Sequence, residues 1–520
     1  MPLRSKQNNN QKININTLNK ITIMFKNHPK GLIPTALANM GERFGFYVMM
    51  AILTLFLMSK FNLDGSQAGV YYSIFYCSIY ILALVGGLIA DKTKNYKGTI
   101  IAGLLVMSLG YALLAIPALI STEIIALGAL LVIAFGNGLF KGNLQAVVGQ
   151  LYDNPKYSAR RDAGFQIFYM FINIGGCVAP FIATWVRNTF VKMQGFAYNA
   201  DLPGLCHKYL GGQLEDTTKF QELATTVSNG VAPTDLTAFA NSYLDAFNTG
   251  FHYAFSVAIV AMLISLVIFL ANKKSLPNPA AKEAKVVEVS KDEIRQDAKE
   301  IKQRILALFA VFGIVIFFWF SFHQNGLTLT MFAKDYTLLK LGSMEISAEI
   351  FQSVNPFIVV FLTPVVMWIF GALAKRGKEP STPKKIGIGM GIAALAYVVM
   401  TIASLSLPNY SVIENSPLAD AARVTPWVLF SVYFILTVAE LFISPLGLSF
   451  VSKVAPAHLQ GLMQGCWLGA TAVGNAALFL GAMMYEKISL AATWSVFAVV
   501  CFISMALMLC MVKWLERVAK

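Results

Sequence analysis

Twelve apolar stretches, each as long as the roughly 20 residues a helix needs to cross a bilayer core, set the terms for this sequence. They run over 31–59, 65–90, 98–118, 122–151, 161–190 and 246–272, then over 303–333, 346–374, 385–407, 425–453, 459–483 and 489–515. Inside hydrocarbon only helices and closed barrels satisfy every backbone N–H and C=O, and runs of this length are helical. The expected fold class is therefore all-α, a membrane protein of twelve transmembrane helices. Between the two sets of six, residues 273–302 are rich in charge and too polar to span. The predicted organisation is a polar tail (1–30), a six-helix bundle (31–272) with a long loop at 191–245, a linker (273–302), a second six-helix bundle (303–515) and a short tail (516–520).

Composition agrees. Of 520 residues, 56% are hydrophobic and 13% charged, against about 25% charged in a soluble domain. The net charge of +14 would suggest nucleic acid in a soluble protein. Here its distribution carries another meaning. With the N-terminus inside, 30 of the 41 basic residues fall on the side of the tail and linker and 9 on the other, the bias expected of cytoplasmic loops. Both termini are thus predicted to be cytoplasmic, with a bilayer and no nucleic acid as partner. The tail has six basic residues, no acidic residue and no apolar centre, unlike a signal peptide. Five cysteines lie in apolar runs and Cys206 in the polar loop; with no CxxC or Cys/His cluster, neither disulfide framework nor metal site is expected. In 191–245, the stretch QELATTVSNGVAPTDLTAFANSYLDAF suits a short amphipathic helix, in a spacer, an external cap or a substrate-capturing lid.

Ionisable side chains inside a bilayer are costly unless paired or hydrated, so each is a candidate functional residue. Glu42 and Arg43 lie in the first span, His323 in the seventh, Lys141 in the fourth and Glu440 in the tenth. Asp91, Lys92, Arg160, Arg161 and Asp162 sit at span ends, where loop pairing is cheap. On the first helix Asn39, Arg43, Phe46 and Met50 share one face, with Glu42 and Tyr47 beside it. The N-terminal half thus carries net positive charge at its centre and the C-terminal half a carboxylate. A space between them would be dipolar and would suit a zwitterion. The sequence has no HExxH, GxSxG or P-loop, so an enzyme is not expected.

Several motifs resemble one family. RDAGFQIFYMFINIGG (Arg161 to Gly176) followed by CVAP, GGLIADK from Gly86, GNGLFKGN around Lys141, FQSVNP from Phe351 and AELFISPLGLS from Ala439 resemble signatures of the proton-dependent oligopeptide transporter (POT) family of the major facilitator superfamily. The resemblance covers nearly the whole chain. It implies two six-helix bundles working by alternating access around a central site, powered by a proton gradient without other cofactors. It also implies that Arg43 and Lys141 hold the carboxylate of a peptide, that Glu440 holds its amino terminus, and that Tyr47, Tyr80, Asn173, Trp319, Asn355, Ser444 and Trp467 line the pocket.

The departures are specific. The family's first-span ExxERFxYY reads NMGERFGFY here, with Asn39 in place of the first Glu and Phe46 in place of the first Tyr. The second Arg and the seventh-span acid that pair in the family are replaced by Met50 and His323, so both partners of that gate are absent together. Glu42, the remaining carboxylate of the motif, and His323, of a type that titrates near neutral pH, are the expected proton-coupling residues. The family's bacterial members commonly carry two extra helices between the halves, and 273–304 has no apolar run for them. The function implied is proton-coupled symport of di- and tripeptides by a monomer in the plasma membrane of a bacterial-type cell. A carrier of another small solute, amino-acid-like or anionic, with altered coupling, and a non-transporting sensor stay open as alternatives.

Overall fold

The computed structural model describes residues 28–152, 154–158, 161–277, 291–342, 344–414, 416–455 and 460–518. Residues 1–27 of the expected tail and 278–290 of the linker, with Arg160 and the side chains of Asp91, Arg161 and Asp162, lie outside the described residues.

Among the described residues, twelve helices are long and apolar enough to cross a membrane. In chain order the spans are Leu32–Phe61, Gly65–Ala90, Tyr96–Ala115, Glu123–Leu151, Ile167–Met193, Leu236–Ser275, Glu300–Tyr336, Ala348–Phe370, Thr382–Ala403, Pro426–Ser444, Gly465–Lys487 and Leu490–Val518. Local sequence sets several starts. Asp64 caps the second span, accepting from the Gln67 N–H at 2.6 Å while Gln67 accepts from the Asp64 N–H at 3.1 Å, a reciprocal capping box. Asp235 accepts from the Thr237 and Ala238 N–H groups and starts the sixth helix ten residues before the expected 246.

The two halves repeat one packing plan. In the first, the first span packs on the fifth and sixth, the third on the fourth and sixth, and the second on the fourth; in the second half, the seventh packs on the eleventh and twelfth, the ninth on the tenth and twelfth, and the eighth on the tenth. The halves meet where the second span packs on the eleventh and the fifth on the eighth. That is the arrangement of two repeats facing each other across a central axis. Close contacts inside each half depend on small residues. Gly86 and Gly138 put the second and fourth helices in backbone contact, where a Cβ on either would strike the other's main chain.

The bundle has two unlike ends. At the linker end, His28 Nδ1 meets the Tyr152 hydroxyl at 2.6 Å and Lys97 donates to the Lys273 carbonyl at 3.1 Å. At the opposite end, the stretch between the fifth and sixth spans forms a cap. It holds two short helices, Leu202–Leu210 and Thr218–Val227. The single amphipathic helix expected over 221–247 is divided, because Asn229 and Gly230 adopt left-handed backbone (φ 58° and 84°) and Pro233 follows.

Two spans are interrupted near their middles. The seventh is α-helical to Phe322, passes through a 3₁₀ turn at His323–Gly326 and resumes at Thr328–Tyr336. The eleventh is divided between Gln460–Ala476 and Phe479–Lys487. The Gln324 amide ties the two breaks together, donating to the carbonyls of Phe320 and Leu478 at 3.2 Å each. Polar side chains that replace lost ladder bonds are what allow a broken helix inside a membrane.

Candidate functional site

The first span presents its expected stripe to protein: Asn39, Arg43, Phe46 and Met50 are all buried, as is Glu42. Glu42 and Arg43 form a two-pronged ion pair, Arg43 Nε and Nη2 each donating to a carboxylate oxygen at 2.6 Å. Asn137 of the fourth span adds a third bond to Glu42 at 2.7 Å. Fork geometry of this kind is the strongest form of the arginine–carboxylate contact, so Glu42 is anchored on both of its oxygens. The Arg43 guanidinium also lies over the Phe46 ring, 4.6 Å from its centroid.

Lys141 lies one helical turn beyond Asn137. Its Nζ sits 4.9 Å from the centre of the Tyr80 ring, within Coulombic reach of Arg43 and Glu42, yet among the described residues it has no ion-pair partner. Glu440, on the tenth span of the other half, accepts from the Asn355 amide at 2.8 Å, and Asn355 also donates to Thr437 at 3.0 Å. Glu440 too has no ion-pair partner among the described residues. Between these two charges stand Tyr47 and Tyr80, both half-buried and both within Coulombic reach of Glu440 and Arg43. Gly176 of the fifth span makes room for Tyr47: a Cβ there would lie 3.0 Å from the Tyr47 ring and 3.4 Å from Pro356 of the eighth span.

The expected residues thus converge in part. Arg43, Glu42, Lys141, Tyr47 and Tyr80 group in the first half and Asn355 and Glu440 in the second, with Tyr47 and Tyr80 within Coulombic reach of Glu440. Asn173 is buried and donates to the Tyr169 carbonyl at 3.0 Å, and Tyr169 is in Coulombic reach of Glu440 and Tyr47. Trp467 is turned into its own half, its ring over Gly447. Trp319 stacks on His323, centroids 4.9 Å apart and planes at 21°, and its Nε1 and the Ser444 Oγ are buried without a hydrogen-bond partner among the described residues. His323 lies at the break in the seventh span. Its Nδ1 is 2.5 Å from Asn475 Oδ1 next to the break in the eleventh, and its ring packs 4.8 Å from that of Tyr76 on the opposite half. Among the described residues, no three His, Cys, Asp or Glu side chains are grouped to hold a metal.

The sequence reading missed the charges that close the cap end. Arg187 of the fifth span is fully buried in an ion pair with Glu349 of the eighth, and is ringed by Tyr198 (4.3 Å), Phe251 (5.2 Å) and Phe247 (5.6 Å). Both stand near the ends of apolar runs, where the signal that singled out Lys141 is weaker. Glu486 of the eleventh span accepts from the Gly65 N–H and, at 3.0 Å, from the Ser66 N–H at the start of the second span. Where the family pattern has a gate between the first and seventh spans, Met50 is buried among apolar neighbours, and the buried ion pair joins the fifth and eighth spans instead.

Comparison with known proteins agrees with this architecture. The peptide transporter YePEPT of Yersinia enterocolitica is 29% identical over 472 residues, 87% of each chain. Dipeptide and tripeptide permease B of Aliivibrio fischeri is 28% identical over 453 residues, 86% of this chain and 84% of that one. Among solved structures, a peptide transporter POT in complex with sulfate superposes with a TM-score of 0.71 at 23% identity, over 95% of this chain and 96% of the other; at that identity the likeness speaks for the fold. The model of the POT family matches residues 97–292 and 277–496. With twelve spans in two like halves and that match over most of its length, the chain belongs to the POT family, a family of multi-pass membrane transporters and not of enzymes.

Proposed function

We propose that the protein is a proton-coupled symporter of di- and tripeptides that works by alternating access, with the linker end in the cytoplasm and the cap end outside. One observation carries the substrate reading: Lys141 and Glu440 face the middle of the bundle from opposite halves without ion-pair partners among the described residues. A zwitterion of peptide length supplies both missing charges, its carboxylate toward Lys141 and Arg43 and its ammonium toward Glu440, in surroundings where screening is weak. The relatives named as di- and tripeptide permeases support the same substrate class, and the 30 to 9 bias of basic residues supports the orientation. Tyr47, Tyr80, Asn173 and Asn355 border the space, with Trp319, Ser444 and Trp467 in the wall behind it. The protein acts as a monomer surrounded by lipid.

In this reading Glu42 and His323 carry the proton linkage. Protonation of Glu42 frees Arg43 Nε and Nη2 for the substrate carboxylate, so proton and peptide bind together. His323, held by Asn475 between Trp319 and Tyr76, joins the breaks of two spans and can pass a change of protonation to the helices. The test is dipeptide uptake into proteoliposomes under an imposed proton gradient, with and without an uncoupler. Uptake that collapses with the uncoupler, and whose pH profile shifts in Glu42→Gln and in His323→Ala, supports the reading. An unshifted profile in both variants removes the two residues from the coupling.

A further inference from the structure

The cap is anchored to one half and clasps the other. Its hold on the first half is extensive: the Tyr243 hydroxyl of the sixth span accepts from the Asn199 N–H at 2.9 Å, His207 Nε2 lies 2.7 Å from the Ser59 carbonyl of the first span, and Phe220 stacks on Tyr209 and packs on Phe239. Leu202, Leu205 and Cys206 are buried beneath it. The cap is therefore packed onto the first half.

Its contact with the second half includes ion pairs. Asp201 meets Arg423 Nη2 at 2.7 Å, with only 13% and 9% of the two side chains exposed. Arg423 is fixed in advance, since its Nε donates to the Leu418 carbonyl at 3.1 Å and its Nη1 to the Lys334 carbonyl at 3.0 Å. Its neighbour Val424 is bonded in both directions to the end of the seventh span, accepting from Leu338 and donating to Tyr336, each at 2.8 Å. Asp201 is equally fixed, because the Asn199 side chain accepts from the Asp201 and Leu202 N–H groups at 3.0 Å. Lys208 and Glu414 form a second, more exposed pair at 2.9 Å. Two pre-set partners lose little side-chain freedom on meeting and separate all at once, unlike a flexible surface pair.

We infer that residues 194–235 are a latch on the second half that sets how readily the cap end opens, with Asp201 and Arg423 as its bolt. The cap is a moving part of the transport cycle and not a passive cover. The inference rests on the alternating-access reading above. It makes Asp201 a positioning residue for the conformational step, remote from the substrate.

The test uses two distances in the full-length protein in proteoliposomes, read from pairs of spin labels introduced as noncanonical residues. One joins Val231 of the cap to Val412 of the second half, and the other joins Ile116 to Ile488, away from the cap, all four side chains being exposed. Asp201→Asn and, separately, Arg423→Gln are expected to shift both distributions to longer distances, and the exchange Asp201→Arg with Arg423→Asp to shift both back. Lengthening of the Val231–Val412 distance alone, or of neither, in whichever single variant folds overturns the latch. Dipeptide uptake by the unsubstituted protein tests transport separately: a latch response without uptake removes the function and keeps the latch.

Discussion

The cap end and the middle of the bundle each bring charges of the two halves face to face, and they treat them in opposite ways. At the cap end the cross-half charges are matched: Arg187 with Glu349, Asp201 with Arg423, Lys208 with Glu414, and Glu486 with the N–H groups of a helix start. In the middle Glu42 and Arg43 are matched within one helix, while Lys141 and Glu440 each face the other half without an ion partner among the described residues. A charge left bare in a membrane is costly, so a protein keeps one where something else will meet it. On the proposed function, matched charges hold a conformation and unmatched ones await a ligand.

Breaking the unmatched pair is expected to have the largest effect on transport and little on folding. Lys141→Ala and Glu440→Gln should each lower dipeptide uptake by about 30-fold or more, the effect of about 2 kcal/mol or more when one partner of a desolvated charged contact is removed. Melting temperatures in detergent should stay near that of the unsubstituted protein, and a large drop would make the two residues structural. Breaking a matched pair should do the reverse. Arg187→Ala strands the Glu349 carboxylate and should cost about 3–5 kcal/mol of stability, read as a fall in melting temperature, whereas Arg187→Leu with Glu349→Leu recovers most of it. A double variant no better than the single one would break the comparison. Asn355→Ala removes the bond that orients Glu440 and should weaken peptide binding about tenfold, for a loss of about 1–2 kcal/mol, measured as a raised KM with uptake at saturation preserved. The smallest effect sharpens the account of the cap. Burial pushes the Cys206 thiol up to about 12, so a maleimide at neutral pH should leave it unlabelled until the protein unfolds. Rapid labelling would mean that the cap is not packed down on the first half.

The long apolar runs placed all twelve helices, because burying backbone polar groups in hydrocarbon leaves a helix little alternative. The charges at Glu42, Arg43, Lys141 and Glu440 were legible for the same reason, being residues that hydrophobic composition alone would exclude. Arg187 escaped notice because it stands near the end of its run, where snorkelling is cheap, and only the fold shows that Glu349 is buried opposite it. The breaks at His323 and after Ala476 have no proline to announce them; each is stabilised by a partner from the other span, so neither is encoded locally. The early start of the sixth helix at Leu236 was hidden by its polar first turns, which pack on the cap and not in lipid. Trp467 was placed in the pocket by resemblance alone, and its packing over Gly447 is a contact that only the fold shows.

The backbone contact between Gly86 and Gly138 has a mechanical meaning. Helices separated by side chains can slide as those side chains change rotamer, but two helices touching main chain to main chain share one axis of motion. The second span carries Tyr80 and leads at its other end to Gly65, which Glu486 grips; the fourth carries Lys141 one turn beyond Gly138. On the alternating-access reading, a tilt begun where the cap end opens is delivered to Lys141 and Tyr80 together, as by a stiff crank, and the ammonium and the ring beneath it keep their spacing while the whole wall moves.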